Sequence, residues 1–364
     1  MSKKKKKKST GTKVVIFIIE LLVLILLLVG LFVYSKLGKV EKGEDITKEE
    51  AEINELTSET QEVLSGYKCI ALYGLDNRDV GSYEGGNSDS IMVLVIDNDT
   101  KAIKIVSVYR DTYLNVYDTS YQKVNAAYSK NGVKSAIAAL NKNLDLAITD
   151  YVCVDFNALV KAIDALGGIE LTLTDEEVGY MNQIYIPEII QVTGSDSELL
   201  TSGGTYTVDG VQALAYCRVR YTSGDDFKRT ERQRTVLTKM MEKVKSSDVL
   251  TLNNLIDTVL PYISTDIDKT ELISLAANAM SYELAGNQGW PFELTTGEYG
   301  SKGSLVVPCD LETNVAELHE YLFGEVNYSP SSTVKNISYE IKNYTGCTTE
   351  SATRKDNPLT SSEE

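Results

Sequence analysis

Residues 91 to 96 read Ile91-Met-Val-Leu-Val-Ile96, an apolar run with no polar interruption. A strand with one face in water alternates apolar and polar residues, so this run suits a strand covered on both faces. Cys69 to Leu75 on one side and Ile103 to Val108 on the other are similar short, apolar-rich runs. Val124 to Leu140 is helical by pattern and Tyr151 to Phe156 reads as another strand. Asn157 to Leu166 is a helix stopped by Gly167-Gly168, and Ile169 to Leu173 returns as a strand. Helices dominate from Asp209 to about Leu275, and Leu305 to Pro308 and Val315 to Phe323 supply a last strand and helix. The expected fold class is α/β: a layered sandwich with a mixed central β-sheet covered by helices on both faces.

Charge divides the chain. The net charge is -16, yet residues 1–34 carry seven lysines against Glu20, a net of +6, which leaves -22 for the rest. Val14 to Tyr34 is long and apolar enough to cross a bilayer core of about 30 Å. The lysine run before it places the N-terminus in the cytoplasm and everything after Tyr34 outside, in a single-pass cell-membrane protein. A cleavable signal peptide fits less well, because Ser35-Lys-Leu-Gly-Lys39 offers no small-residue cleavage site. The expected organisation is a cytoplasmic Lys-rich tail over 1–13, a transmembrane helix over 14–34 and a juxtamembrane stalk over 35–65. An extracytoplasmic domain over 66–345 and a disordered tail over 346–364 follow.

Composition also removes reaction classes. His319 is the one histidine, so no multi-histidine metal centre can be built. The acidic balance excludes nonspecific nucleic-acid binding, which needs a basic face. Five cysteines without a CxxC pair indicate no disulfide framework, and Cys309 with Cys347 is the one pair worth entertaining.

What remains for chemistry is carboxylates and arginines at strand ends, where ligands bind in open α/β sheets. Asp76 and Arg78 follow the first strand, Asp89 opens the second and Arg110-Asp111 closes the third; each also has a bland reading as a turn or surface pair. Residues 218–234 are more pointed. Arg218, Arg220, Lys228, Arg229, Arg232 and Arg234 stand against Asp225, Asp226 and Glu231, a local net of +3. Arg218 and Arg220 flank Val219, so in an extended segment they share a face. Arg229, Arg232 and Gln233 continue the apolar stripe of Val236, Leu237, Met240 and Met241, which turns them inward. Buried guanidinium groups need an anion opposite, and their planar fork suits phosphate. A web of pairs with the neighbouring acids is the alternative.

In order along the chain, Gly74-Leu-Asp-Asn-Arg78, Asn87-Ser-Asp-Ser-Ile91, Ser107-Val-Tyr-Arg-Asp-Thr112, Lys123-Val-Asn-Ala-Ala-Tyr128, Val154-Asp-Phe156, Asp164-Ala-Leu-Gly-Gly168, Gly210 to Arg220 and Asp226 to Gln233 resemble the LytR-CpsA-Psr family of cell-envelope proteins. The likeness is close over residues 66–245 and looser to about 345. It implies a phosphotransferase that moves an anionic glycopolymer, of teichoic acid or capsule type, from an undecaprenyl pyrophosphate carrier to peptidoglycan through a phosphodiester. On the same resemblance Asp76 and Asp89 bind Mg2+, while Arg110, Arg218, Arg220, Arg229 and Arg232, with Gln233, grip the phosphates. Asp111 sits in the Arg-Asp pair for proton transfer, and Arg78 matches a basic position. Chemistry of this kind runs on charge neutralisation and alignment, for which arginines and carboxylates suffice.

Asn87 departs from the family, which commonly has arginine there, so one phosphate contact is either missing or supplied by Arg78. Residues 179–204 read as a long loop, for which a lid over a lipid cleft and an ordinary surface insertion both stand. Two other functions compete: a noncatalytic membrane-anchored envelope regulator, and a glycan-binding protein using its tyrosines as stacking surfaces.

Overall fold

The computed structural model describes residues 41–75, 88–220, 225–356 and 358. The proposed membrane span at 14–34 lies outside them, and among the described residues no helix is long and apolar enough to cross a membrane. The chain opens with strand β1 (Glu41–Lys42), helix α1 (Ser58–Ser65) and three long strands, β2 (Tyr67–Leu75), β3 (Ser88–Asp97) and β4 (Ala102–Val108). A hairpin of β5 (Tyr113–Tyr117) and β6 (Ser120–Lys123) leads to α2 (Tyr128–Leu144), which is kinked where Gly132 takes a positive φ. Then come β7 (Asp150–Val154), α3 (Phe156–Ala165), β8 (Ile169–Leu173), α4 (Asp175–Tyr180), α5 (Ile186–Thr193), β9 (Gly204–Val208), α6 (Gly210–Arg218) and α7 (Asp225–Ser246). The last third holds α8 (Val249–Val259), β10 (Ile263–Thr265), α9 (Lys269–Ala277), β11 (Glu283–Trp290), β12 (Glu293–Glu298), β13 (Ser304–Pro308), α10 (Leu311–Phe323), α11 (Ser332–Thr345) and β14 (Arg354–Lys355).

The central sheet has the order β1-β10-β7-β2-β3-β4-β11. It is mixed: β2 is antiparallel to β3 and parallel to β7, and β4 is parallel to β11. Period-two geometry explains why its strands are apolar throughout. Ala71, Tyr73, Leu75, Ile91, Val93, Val95, Val106 and Val108 point to one face, where α2, α10 and α11 cover them. Ile70, Met92, Ile96, Ile103 and Ile105 point to the other, against α7 and α9. A separate core cluster joins α3, the antiparallel β8–β9 pair, α4, α5 and α6.

Three expectations need correction. Residues 41–65 are part of the domain: Ala51 is buried, Leu64 joins the main core and β1 adds an edge strand beside β10. The tail is likewise incorporated as far as Asp356, because β14 pairs with β12 and Cys347 is buried. Their polar composition hid a few anchoring apolar residues and backbone pairings that any side chain permits. Finally, much of 179–204 is helical: α4, a π-turn over Met181–Tyr185 and α5 run consecutively, with Met181, Ile186 and Ile189 wholly buried. All five cysteines are buried free thiols, Cys309 and Cys347 among them. His319 is buried too, bonded to Glu325 and the Leu144 carbonyl and stacked on Tyr328.

Candidate functional site

Directly after β4 the chain makes a tight turn. The Thr112 N–H and hydroxyl both donate to the Tyr109 carbonyl, at 2.9 and 2.6 Å. The Asn125 N–H donates to the Arg110 carbonyl and the Val306 N–H to that of Asp111. With its backbone held from two sides, the turn fixes where Arg110 and Asp111 point.

Arg110 points at Asp89, at the start of β3, with Nη1 to Oδ1 at 2.7 Å. Asp89 also takes Arg220 at 3.1 Å and Arg229 at 3.4 Å on its other oxygen. Asp226, one helical turn before Arg229 on α7, lies 2.9 Å from Arg229 Nε and 3.4 Å from Arg110 Nε. Three guanidinium groups thus share two carboxylates and leave positive charge in excess. Burial alone would raise the Asp89 pKa, but Arg229, Arg110 and Arg220 together hold it below the usual carboxylate value. Burial lowers the pKa of Arg229, and crowding by Arg110 and Arg220 adds to this against the pull of Asp226 and Asp89. Guanidinium groups crowded together in this way favour anionic partners, here Asp89 and Asp226.

The cluster stands at one end of an apolar cavity of about 280 Å³ between the sheet and helices α3, α6, α7 and α8. Leu72, Met92, Val152, Leu159, Leu214 and Leu237 are among its walls, and Asp89, Arg218, Arg220, Arg229 and Gln233 line it too. The site can therefore take an amphiphile whose head is an anion and whose body is hydrocarbon.

Not every expected residue joins. Arg218 is the last residue of α6, not part of an extended segment, because the helix closes only at Val219, which is wholly buried. Its side chain lies between Phe156 and Tyr185 and pairs with Glu188 of α5 at 3.3 Å. Arg232 faces inward as expected but away from Asp89: Nε meets Glu177 of α4 at 2.8 Å and Nη1 donates to the Val219 carbonyl. The two arginines are only about 60° apart around the helix but about one turn apart along it, so they meet different neighbours. Asp111 lies 3.9 Å from Arg110 Nε and 3.3 Å from Lys123. Asp76, Arg78 and Asn87 fall outside the described residues. Asp226 is the site residue undervalued in sequence, although its spacing of three from Arg229 on a helix is a pairing signal. Glu188 and Glu177 carry no such signal, because their arginines are distant in sequence.

A model of the LytR_cpsA_psr family matches residues 30–287, more than half of the chain. The chain belongs to the LytR_cpsA_psr family. Among its relatives, Biofilm regulatory protein A of Streptococcus mutans is 33% identical over 192 residues, which are 49% of this chain and 44% of that protein. The polyisoprenyl-teichoic acid–peptidoglycan teichoic acid transferase TagU of Enterococcus faecalis is 30% identical over 217 residues, 58% of this chain and 65% of that one. The chain thus spans less than two thirds of the length of these relatives. Among solved structures, the LytR-CPS2A-psr family protein YwtF (TagT) with bound octaprenyl pyrophosphate lipid aligns at a TM-score of 0.50 and 19% identity, covering 84% of this chain and 99% of that one. The mixed sheet with helices on both faces is thus the fold of the family.

Proposed function

We propose that the protein is a transferase that moves a glycopolymer of teichoic acid or capsule type from a polyprenyl pyrophosphate carrier to peptidoglycan. The observation that carries this reading is the placement of Arg110, Arg220 and Arg229 at the charged end of an apolar cavity. A pyrophosphate would take over the guanidinium groups that Asp89 and Asp226 now share, while the polyprenyl chain enters the cavity. The names of related transferases and the lipid held by TagT support the same assignment.

In the reaction, an acceptor hydroxyl oxygen bonds to the phosphorus that carries the glycan as the bridging bond to the lipid phosphate breaks. Polyprenyl phosphate leaves and the hydroxyl proton passes to Asp111, which Lys123 holds in place. Arg110, Arg220 and Arg229 stabilise the charge that develops on the phosphate oxygens. Arg218, held by Glu188, lines the cavity beside them.

Magnesium suits this donor set. Asp89 is kept ionised, and Mg2+ favours one or two carboxylates with phosphate oxygens and water over an all-protein cage. Asp89 would hold the ion with Asp76, and the ion would neutralise pyrophosphate charge. The N-terminal span at 14–34 anchors the protein, with its tail in the cytoplasm and this domain outside.

The test is transfer of a lipid-linked glycan to peptidoglycan in magnesium buffer. Asp89→Ala lowers the rate by roughly a hundredfold or more with an unchanged circular dichroism spectrum. EDTA does the same to the wild type; an EDTA-insensitive rate overturns the metal assignment. Glycan binding without any turnover by the wild type would favour the glycan-binding alternative.

A further inference from the structure

The apolar cavity has a direction. Along α7 its wall runs from Arg229 through Gln233, Val236 and Leu237 to Met240. At a rise of 1.5 Å per residue, about 16 Å separate the guanidinium end from the last apolar contact. Past Met240, α7 carries Lys243 and Lys245 in its last turn, and the chain turns a corner through Ser247 and Asp248 into α8. α8 then returns to the same cavity, which Val259 lines. The corner therefore stands beyond the apolar end of the cavity, the end farther along α7 from Arg229.

That corner is apolar where it meets water. Val249 and Leu250 open α8 and are each 80% exposed, more than any other large apolar side chain among the described residues. The acids beside them are engaged: Glu242 pairs with Lys239 at 2.8 Å, and Asp248 accepts the Thr251 N–H at 2.7 Å as the helix cap. Two apolar side chains flanked by ammonium groups have the make-up of a shallow contact with a lipid surface, and Asn253 and Asn254 confine it to the first turn of α8. Chain length agrees. Six residues, 35–40, separate the apolar run at 14–34 from β1, and fully extended they reach about 21 Å. β1 pairs with β10 and touches the turn Leu260–Tyr262 into which α8 runs. The eleven residues of α8 span about 16 Å, so the segment that follows the apolar run joins the domain about one helix length from the exposed pair.

We propose that the α7–α8 corner is a second membrane contact, in which Val249 and Leu250 enter the outer leaflet of a bilayer containing anionic lipid and Lys243 and Lys245 meet its headgroups. The domain is then moored at two points, and a polyprenyl chain passes from bilayer to cavity without crossing water. The passage of the lipid rests on the transferase reading above; the contact itself does not.

Full-length protein is placed one molecule per nanodisc of phosphatidylcholine and phosphatidylglycerol. All five native cysteines are buried, so Leu250→Cys directs an environment-sensitive fluorophore to the corner. Tyr339→Cys is the control, an exposed site on α11, which covers the opposite face of the sheet from α7. Lipids brominated in their acyl chains should quench the label at 250 by roughly half or more and the label at 339 by less than about a tenth. Lys243→Glu with Lys245→Glu should cut the quenching at 250 by about twofold or more, and unaltered quenching overturns the headgroup role. Equal quenching at the two positions overturns the contact. So does a blue-shifted emission at 250 without bromolipid quenching, which would put protein, not lipid, on the patch. In the transfer assay Val249→Asp with Leu250→Asp should lower the rate with nanodisc-embedded donor at least tenfold, while affinity for a short-chain, water-soluble donor stays within twofold; an unchanged rate overturns the passage of lipid at this corner. Quenching needs neither donor nor turnover, so it decides the contact even if transfer is never observed, whereas absent transfer bears on the function alone.

Discussion

Single residues separate the site from its scaffold. Arg229 and Arg232 are both buried inward-facing arginines of α7, yet only Arg229 faces Asp89. Removing Arg232 leaves Glu177 buried without its charged partner, so Arg232→Ala should cost about 3–5 kcal/mol in denaturant unfolding. Polyprenyl pyrophosphate affinity of the folded fraction should be unchanged, and a large affinity loss would return Arg232 to the binding site. Asp266 is a residue of another kind. Burial, reinforced by the charge of Asp150 and opposed by the Tyr151 N–H, pushes its carboxyl up to about 6. A raised folded pKa means that the contribution of this group to stability is fully present below about pH 4, where the unfolded group titrates, and is lost as pH rises through 6. Asp266→Asn keeps an acceptor for Tyr151 and removes the cost, so it should stabilise the protein at pH 7 by roughly 1 kcal/mol after allowance for solvent screening. Thermal melts between pH 4 and 7 check this: the gap from wild type should vanish at the acid end.

Among the elements, the contact between α3 and α6 sets the wall of the apolar cavity. A Cβ on Gly210, the first residue of α6, would lie 2.1 Å from the Val160 carbonyl oxygen and 2.6 Å from its Cα. The Gly210 N–H also donates to the Asp164 side-chain Oδ1 at 2.8 Å, so the helix N-terminus is held tightly against α3. Gly210→Ala should therefore destabilise by about 1–3 kcal/mol and loosen the cavity, since neither backbone can retreat without moving its helix. A chemical melt within 0.5 kcal/mol of wild type would show that the two helices slide apart at little cost. The α4–α5 segment is joined to the same wall by charge. Glu188 reaches Arg218 and Glu177 reaches Arg232, so each end of this helical stretch is pinned to a different neighbour.

For the molecule as a whole, the C-terminus closes the structure. The Thr353 N–H donates to the Leu294 carbonyl at 3.0 Å and the Asp356 N–H to that of Phe292 at 2.7 Å, while Cys347 packs into the main core beside Tyr299. The β12–β13 pair that receives this strand also supplies the turn at Gly300–Lys302. A chain ending at Thr345 should melt about 5 °C or more below the full chain, since it loses the buried Cys347 and several strand-pairing backbone bonds that each contribute about 1 kcal/mol. Identical melting temperatures would mean that the segment adds nothing to the fold.

The amino-acid order alone determined the layered α/β class, because runs such as Ile91–Ile96 that are apolar on both faces can be buried only between two layers. It also determined the inward turn of Arg229 and the position of Asp89 and Arg110 at strand ends, since strand and helix periods are local properties. Partners distant in sequence were decided only by the tertiary structure. Three arginines converge on Asp89, Arg232 leaves for Glu177, and Lys302 reaches the Tyr121 carbonyl, all by virtue of chain connections that bring separate segments together. The polar segments at 41–65 and 346–356 belong to the same class. Strand pairing satisfies backbone groups whatever the side chains, so composition alone makes such segments look unstructured until a neighbouring edge is in place.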